Sequence, residues 1–159
     1  MLDENIYAEY KNAVDNDVRD FVNNVISGND MINYITVAFL SGEASDRIEE
    51  LTRKHVEGNR VVLDTNAIKH IINRHGKDGL HDNSMSDTDD IARIGYIIMN
   101  YDNISYDGNT TTGFLDENGE PSPTITISKR IDGTFYVIEA VNSSKRRKNY
   151  IITAYISKA

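Results

Sequence analysis

The 159-residue chain contains no cysteine. It therefore has no disulfide framework, no thiolate metal site and no cysteine nucleophile. No hydrophobic run approaches the roughly 18 residues of a membrane-spanning helix, and no signal-peptide pattern opens the chain. Glycine-rich phosphate loops and GxSxG elbows are also absent. We expect a cytoplasmic protein with no membrane partner, since a chain without cysteine is compatible with a reducing compartment.

Positive charge is scarce overall, and the net charge of −8 at pH 7 argues against a simple nucleic-acid coat protein. The imbalance is concentrated in residues 1–58, which carry 12 acidic and 5 basic side chains. Residues 59–159 carry 13 acidic and 12 basic side chains. Within this range, residues 129–159 carry 2 acidic and 7 basic side chains. Salt confines charge interactions to about 8 Å, so a locally basic surface binds polyanions whatever the total charge. We therefore expect any nucleic-acid contacts in the second part of the chain.

Hydrophobic spacing predicts three helices in the first 58 residues. They are predicted over residues 3–27, 29–40 and 45–57. A short apolar run at residues 61–63 then predicts a strand, and the next helix begins at Asp64 or Thr65 and ends at Gly76. A polar loop and another helix, with acidic residues in its first turn, follow.

From residue 103 onward the pattern is typical of β-strands. Residues 104–106 and 110–115 are predicted as one hairpin, and residues 124–130 and 135–141 as another around Asp132-Gly133. Residues 150–157 are predicted as the last strand. Helices followed by such strands predict an α+β fold with an antiparallel sheet of about four strands. The change near residue 59 divides the chain into an acidic helical segment, residues 1–58, and a domain of residues 59–159.

Two histidines and an arginine, His70, His75 and Arg74, lie within about one and a half turns of the predicted helix that ends at Gly76. Imidazole exchanges protons near neutrality, and arginine is the side chain best shaped to grip phosphate. Helical spacing puts His75 on the apolar face with Ile68, and His70 and Arg74 on the other side. The cluster suggests phosphodiester chemistry. Alternatively, His75 is a half-buried residue that bonds the last carbonyls, and the other two are only solvated.

Hydroxyl-bearing and basic side chains follow in the predicted strands. Thr153 and Tyr155 alternate with apolar residues and therefore point to the same face of the last strand, although both residue types are also simply good strand formers. Basic side chains near strand ends and in turns are candidates for phosphate contacts, namely Lys129, Arg130, Lys145, Arg146, Arg147 and Lys148. We interpret these as substrate-binding residues, and a solvated loop is the alternative for residues 145–148.

The order of these features along the chain carries a family resemblance. The set is His70-x-x-x-Arg74-His75-Gly76, a helix opened by acidic residues, strands with Lys129 and Glu139, and Thr153-x-Tyr155 near the end. It resembles the phage-associated members of the barnase–EndoU–colicin–RelE-like ribonuclease superfamily over residues 61–157. Such domains occur as toxins or as C-terminal nuclease domains of phage and mobile-element proteins. Residues 1–58 lie outside the resemblance.

The resemblance implies helices packed on a four-stranded antiparallel sheet, with RNA cleavage on its open face that needs no metal and no cofactor. The implied mechanism uses the 2′-hydroxyl of RNA as the nucleophile and leaves a 2′,3′-cyclic phosphate. The implied catalytic residues are His70, Arg74, His75, Thr153 and Tyr155, and Lys129 is a further match. The implied partners are an RNA substrate in the cytoplasm of a bacterial host cell, and an immunity protein or a larger phage protein.

Two other functions fit parts of the sequence. A non-catalytic acidic binding or immunity-type module would also be small, acidic and free of cysteine, and it would contact a protein or RNA partner. A metal hydrolase would use His70, His75 and His81 with the acidic cluster at residues 87–90, but the spacing of five between the first two histidines is wrong for a zincin helix. Loss of activity on chelation would favour the metal hydrolase.

Overall fold

The computed structural model describes residues 3–29, 33–142 and 146–158. The helices in these ranges are α1 (Glu4–Asn12), α2 (Asn16–Ile26), α3 (Gly42–Thr52), α4 (Thr65–His75) and α5 (Ile94–Met99), with a 3₁₀ helix at Thr88–Arg93. The strands are β1 (Tyr34–Phe39), β2 (Arg60–Asp64), β3 (Asn103–Ser105), β4 (Thr110–Leu115), β5 (Pro121–Ile131), β6 (Gly133–Ala140) and β7 (Lys148–Ser157).

The strands of the described residues form one sheet in the order β1-β2-β7-β6-β5-β3, and β4 pairs with β5 beside this path. The predicted α+β class is confirmed, but the sheet has seven strands instead of about four. It is also mixed, because β2 runs parallel to β7 whereas the other pairs are antiparallel. The parallel pair joins residues about 90 apart in sequence, which local patterns do not reveal.

The prediction of a helix over residues 29–40 is wrong, because β1 occupies Tyr34–Phe39. This segment contains the β-branched run Ile35, Thr36 and Val37, whose side chains favour extended backbone. Pairing with β2 satisfies the backbone groups on one edge of the strand. The acidic N-terminal part is therefore not wholly helical, and it contributes an edge strand to the sheet.

The predicted helix over residues 3–27 is two helices. The side chain of Asp15 accepts hydrogen bonds from the backbone N–H groups of Asp17 and Val18 and starts α2 there. Aspartate is favoured at a helix start because its side chain accepts hydrogen bonds from backbone N–H groups that have no partner within the helix. The break allows α1 and α2 to take different directions over the same core.

The predicted hairpin of residues 104–106 and 110–115 is also wrong. Both segments are strands, but β3 pairs with β5 at Thr126 to Ser128, and β4 pairs with it at Pro121 to Pro123. Because β5 has 11 residues, it is long enough to accept two short partners on one edge. The second predicted hairpin is confirmed, and Gly133 supplies the positive φ of 84° in its turn.

The helices pack on one face of the sheet, where Ile127, Phe135, Val137 and Ala154 join them in a single hydrophobic core. We call the other side the open face. On its three central strands the open face carries Thr126, Ser128, Arg130, Tyr136, Ile138, Tyr150, Thr153 and Tyr155. The register shift opposite Ile138 inserts an extra residue in β7, so the alternation of its side chains reverses there.

A buried polar cluster fastens the N-terminal helices to the rest of the core. Tyr10 of α1 donates its hydroxyl hydrogen to Asp90, and Arg93 donates to the same carboxylate at 2.8 Å. All three residues are at most 7% exposed. A second pair, Arg19 and Asp89, meets at 2.9 Å nearer to solvent. The division into residues 1–58 and 59–159 stays a prediction, and the hydrophobic core spans both parts.

No helix in the described part of the chain is long and apolar enough to cross a membrane.

We predict that Asp90→Ala lowers the free energy of unfolding by about 3 kcal/mol, because it leaves the Tyr10 hydroxyl without its acceptor and removes the shortest ion pair of the buried Arg93 guanidinium, which keeps Asp87 and the Lys11 carbonyl. The matched change Asp89→Ala removes a partly exposed ion pair and should cost about 1 kcal/mol or less. Urea unfolding of both variants measures the difference. Equal losses would contradict the proposed role of the buried cluster.

Candidate active site

The helix that carries the histidines begins and ends where local chemistry dictates. Asp64 accepts a hydrogen bond of 2.7 Å from the backbone N–H of Ala67 and caps α4. Ile68 and Ile71 are fully buried, and His75 lies on the same side with 6% of its surface exposed. The sequence predicted this helix and the apolar side of His75.

The C-terminal end of α4 meets the second half of β7. In the described chain β2 pairs with β7 from Lys148 to Tyr150 only, so the edge of β7 beyond Tyr150 is covered by α4 and the loop after it. Ser84 of that loop accepts a hydrogen bond of 3.0 Å from the backbone N–H of Ile156. This arrangement brings the last turn of α4 to the open face of the strand.

Three rings form a continuous stack at this contact. The imidazole of His75 lies on the phenol ring of Tyr155 with centroids 5.2 Å apart and planes inclined by 26°. Tyr155 in turn stacks on Tyr136 of β6 at 5.1 Å and 28°. The register of β6 and β7 places these two tyrosines directly opposite each other. The stack fixes the orientation of the imidazole relative to the open face.

Asp82 holds the imidazole from the other side. Its Oδ2 lies 2.9 Å from Nδ1 of His75, and its Oδ1 accepts a hydrogen bond from the backbone N–H of Ser84. Partial burial raises the pKa of Asp82, but the hydrogen bonds from Ser84 and His75 outweigh burial and hold the pKa below its ordinary value. Asp82 is therefore ionised at neutral pH, and Nδ1 of His75 carries the shared proton.

The loop between His75 and Asp82 is tightly folded. The backbone N–H groups of His81 and Asp82 both donate to the carbonyl of Arg74. A Cβ at Gly79 would lie 2.6 Å from that carbonyl oxygen, so a larger residue does not fit there. The loop thus carries Asp82 back to the imidazole seven residues earlier and places the exposed His81 ring edge-on to His75, with centroids 5.7 Å apart.

The atom Nε2 of His75 has no hydrogen-bond partner in the described part of the chain. With Nδ1 directed at a carboxylate, Nε2 is the nitrogen that can accept a proton. His75 is 6% exposed as a residue. The exposed Arg74 precedes it in sequence, and the exposed His81 contacts it edge-on.

The other predicted catalytic residues lie at different depths. His70 and Arg74 are exposed on α4, and Arg74 forms no ion pair with a described residue. Partial burial lowers the pKa of His70, and the positive charges of Arg74 and His75 lower it further. His70 is thus mainly neutral at pH 7. The structure brings His75 and Tyr155 into direct contact, and it leaves His70 and Arg74 beside them on the solvent side.

Thr153 and Tyr155 share the open face, as the alternation of residues predicts. Burial raises the pKa of Tyr155, and the nearby Tyr136 and Asp82 raise it further, so its hydroxyl remains protonated. Thr153 is 9% exposed, and its hydroxyl oxygen is buried without a hydrogen-bond partner. Tyr155 is therefore the accessible hydroxyl of the pair in this conformation.

Lys129 and Arg130 point to opposite sides of β5. Lys129 is buried beside Phe135 on the helix-covered face, and its Nζ lies 3.5 Å from Asp102. The structure therefore does not bring Lys129 to the His75 contact. Arg130 is exposed on the open face, two residue pairs along the sheet from the pair Ser128 and Tyr136.

The basic turn, which we define as residues 145–148, lies at the other end of β7 from Tyr155. Lys145 lies outside the described residues. Arg146 and Arg147 are exposed, and Lys148 donates a hydrogen bond of 3.0 Å to the hydroxyl of Tyr34 in β1. These side chains are near the first residues of β7, whereas Tyr155 is near its last ones, so the structure separates the basic turn from the His75 contact.

A family comparison now adds to this geometry. Residues 39–159 match the family described as phage-Barnase-EndoU-ColicinE5/D-RelE like nuclease3. The chain belongs to this nuclease family. The family predicted from the sequence is confirmed, although the matching segment begins at residue 39 instead of 61. No curated protein and no solved structure matches the chain.

Membership in the phage-associated nuclease family supports a nuclease function. Asp82 and Tyr136 at its candidate site were not predicted from the sequence, and His81 was predicted only as a residue of the alternative metal hydrolase. Asp82 and His81 lie in the polar loop after Gly76, and only the tight turn at Gly79 brings them to the imidazole. Tyr136 reaches Tyr155 through strand register. The sequence feature that could have indicated Asp82 is its place in a loop with two glycines, directly after the helix that carries His70 and His75.

In the described ranges of this nuclease, no group of three His, Asp or Glu side chains is arranged to bind one metal ion.

A buried polar network contacts the segment of the nuclease that contains the basic turn. The side chain of Asn59 donates to the backbone carbonyl of Asn142 at 3.1 Å and to Oδ1 of Asn149 at 3.0 Å. Asn149 donates at 3.4 Å to Glu139, which is fully buried and has one carboxylate oxygen without a partner. Burial raises the pKa of Glu139 to about 7, although the hydrogen bond from Asn149 lowers it.

This pKa makes the stability of the nuclease depend on pH. Below about pH 4.5 Glu139 is protonated in the folded and the unfolded chain, and between about pH 4.5 and 7 only the unfolded chain releases the proton. The free energy of unfolding therefore falls as pH rises through this range.

We predict that Glu139→Gln removes this fall, because glutamine stays neutral at every pH. At pH 8 the variant should be more stable than the wild type by roughly 3 kcal/mol, and at pH 4.5 the two should differ little. Urea unfolding across this pH range measures the effect. The exposed Glu57→Gln is the matched control, and a wild-type slope that persists in Glu139→Gln would contradict the assignment.

Proposed function

We propose that the protein is an endoribonuclease of phage or toxin type that cleaves RNA without a metal ion, through attack of the 2′-hydroxyl on the adjacent phosphate. The observation that carries the proposal is the double contact of His75. Its Nδ1 lies 2.9 Å from Oδ2 of Asp82, and its ring stacks on that of Tyr155 with centroids 5.2 Å apart. This double contact combines an oriented proton acceptor with a protonated phenol on the open face of the sheet. Family membership supports the nuclease part of the proposal.

In the proposed reaction, a base removes the proton of the 2′-hydroxyl, and the 2′-oxygen forms a bond to phosphorus. The bond between phosphorus and the 5′-oxygen breaks, and an acid protonates the leaving oxygen. The products are a 2′,3′-cyclic phosphate and a 5′-hydroxyl, so the RNA itself supplies the nucleophile. Each proton transfer contributes roughly 10²- to 10⁴-fold when the side chain is within hydrogen-bond reach.

His75 is the stronger candidate for the base, because Asp82 fixes its tautomer with Nε2 as the acceptor. In the reverse role the same imidazole, once protonated, would donate to the leaving oxygen. His70, exposed one turn earlier on α4, is the candidate for the second proton carrier. Its lowered pKa favours a neutral imidazole at pH 7, so as the acid it acts only in the minor fraction of molecules that carries the proton.

Charge on the phosphorane oxygens requires donors and cations. Tyr155 remains protonated and therefore donates a hydrogen bond. Arg74 follows His70 by one helical turn, and its guanidinium suits bidentate contact with phosphate. Thr153 is proposed as a third group, although its hydroxyl becomes accessible only if neighbouring side chains move.

We further propose that Arg130, Arg146, Arg147 and Lys148 bind phosphates of the RNA away from the reacting bond, as does Lys145. Lys129 is a weaker candidate, since it is buried on the helix-covered face. The proposed setting is the cytoplasm of a bacterial host cell. An immunity protein or a larger phage protein is the proposed protein partner.

The experiment that tests the function is RNA cleavage in the presence of EDTA. We predict cyclic-phosphate products, and we predict that His75→Ala lowers the rate by at least about a hundredfold because an oriented proton acceptor is lost. His70→Ala should lower it less. His55→Ala is the matched control, because His55 is an exposed histidine that contacts Glu49 away from the site.

The assignment of the histidines is lost if His70→Ala and His75→Ala both cleave RNA at the wild-type rate. Activity that EDTA abolishes would favour a metal hydrolase. Purified protein that leaves RNA intact at high concentration, yet binds it or a basic protein, would favour the non-catalytic binding module.

We also predict that Asp82→Asn lowers the cleavage rate by about ten- to a thousandfold, because an amide donates a hydrogen bond where the carboxylate accepts one. The Nδ1 of His75 would then become the acceptor, and Nε2 would carry the proton and cease to be a base. Single-turnover rates over pH 5 to 9 measure the effect. The variant Asp78→Asn, an exposed aspartate of the same loop, should cleave like the wild type.

A further inference from the structure

A pair of aromatic rings lies at the end of the open face opposite to His75. Phe114 of β4 stacks on Tyr150 of β7 with centroids 4.4 Å apart and planes inclined by only 12°. Both side chains are partly exposed. Phe114 reaches Tyr150 because β4 pairs with the first residues of β5 beside the main path of the sheet. The stacking covers one face of each ring, so a base can stack only on an outer face of the pair.

A third ring with two cations beside it lies nearby. Tyr34 of β1 is 40% exposed, and the Lys148 ammonium lies 4.1 Å from the centre of its ring. The Arg60 guanidinium lies 5.9 Å from the same centre. Both cations are attracted by the ring and add positive charge to this end of the open face. Tyr34 precedes the segment that matches the family, which begins at residue 39.

Two cavities adjoin each other around these rings. One, of about 370 Å³, is lined by Tyr34, Lys148, Tyr150 and Arg146, and also by Asp64. The second, of about 350 Å³, is lined by Phe114, Tyr150 and Arg146, and also by the carboxylates Asp116 and Glu117 of the turn after β4. Tyr150 and Arg146 belong to both. Cavities of this size are near the lower end of the range that small ligands occupy.

The rings are remote from the proposed cleavage site. Tyr150 and Tyr155 pair with Ala140 and Tyr136, which are four residues apart on β6, so the two tyrosines are about 13 Å apart at the rise of a strand. The helix α4, which begins beside the first cavity at Thr65 and ends at His75, has 11 residues and a length of about 16 Å. A stacked strand of nucleic acid advances about 3.4 Å per nucleotide, so the two sites belong to different nucleotides.

We propose that Tyr34, Phe114 and Tyr150, with Arg60 and Lys148, form a base-stacking subsite for single-stranded RNA several nucleotides away from the scissile phosphate. Aromatic faces accept any base, and cations beside them neutralise the backbone, which is the usual composition of single-strand binding surfaces. A duplex does not fit this subsite, because its bases already stack on each other. The assignment of RNA as the ligand depends on the proposed function.

The experiment measures binding of a fluorescent single-stranded RNA of about twelve nucleotides to the His75→Ala protein by anisotropy. We predict that adding Tyr150→Leu, or separately Tyr34→Leu, weakens binding by about tenfold, since one stacked base is lost. Tyr150→Phe keeps the ring and should bind like the parent. Tyr101→Leu, at a half-buried tyrosine that contacts Glu43 on the helical side, is the matched control and should also bind like the parent.

Thermal unfolding identifies any variant that fails to fold. If Tyr150→Leu does not fold, Tyr34→Leu, which changes an exposed edge strand, still tests the subsite. Undiminished binding by the folded leucine variants would overturn the subsite. So would equal losses for a duplex of the same sequence, because stacking on unpaired bases would then not explain them.

The two proposals fail separately. If the leucine variants bind RNA like the parent while His75→Ala abolishes cleavage, the subsite is wrong and the ribonuclease stands. If the wild-type protein does not cleave RNA but the leucine variants bind it more weakly than the His75→Ala parent, the subsite stands and the catalytic proposal is wrong. Binding of single-stranded DNA with equal affinity and equal losses would keep the stacking subsite and overturn the restriction to RNA.

Discussion

The candidate site depends on one contact, in which the His75 ring is fixed between the Asp82 carboxylate and the Tyr155 ring. The contact joins three parts of the chain: the last turn of α4, the loop after it and the end of β7. Each part has its own reason to be there, since buried isoleucines seat the helix, Gly79 closes the loop and the partner strand fixes β7. A histidine in this position has one free nitrogen and little freedom to rotate, which is what proton transfer requires.

The buried network of Glu139, Asn149 and Asn59 shows how the same sheet positions a second functional region. A fully buried carboxylate with one oxygen unsatisfied costs stability at neutral pH. The network nevertheless connects the two ends of the basic turn, because Asn59 bonds to the carbonyl of Asn142 and the neighbouring Arg60 bonds to that of Arg147. The buried carboxylate thus lowers stability in the same network that positions the basic turn at the end of the open face.

Local signals in the sequence predicted the parts of the fold that local chemistry determines. The α4 helix follows from its Asp64 cap and the stop at Gly76, and the β5–β6 hairpin follows from Asp132-Gly133. The strand β1 and its place beside β2 were not predictable in this way, because they depend on pairing between distant segments. The burial of Lys129 was predictable, since its spacing of two residues from the buried Ile127 and Ile131 already indicated the core face. Asp82 required knowledge of the fold of its loop.

The acidic composition and the proposed binding of RNA are compatible because the fold separates them. The exposed carboxylates of α1, α2 and α3 lie on helices that cover one face of the sheet, whereas Arg60, Arg130 and Lys148 lie on the other. A helix is about 10 Å thick, so its outer side is farther from the open face than the screening length of about 8 Å in physiological salt. A polyanion on the open face therefore meets the local basic side chains more than the net charge. The N-terminal part is then more than an acidic attachment, because its edge strand extends the face that carries the basic residues and supplies Tyr34 to it.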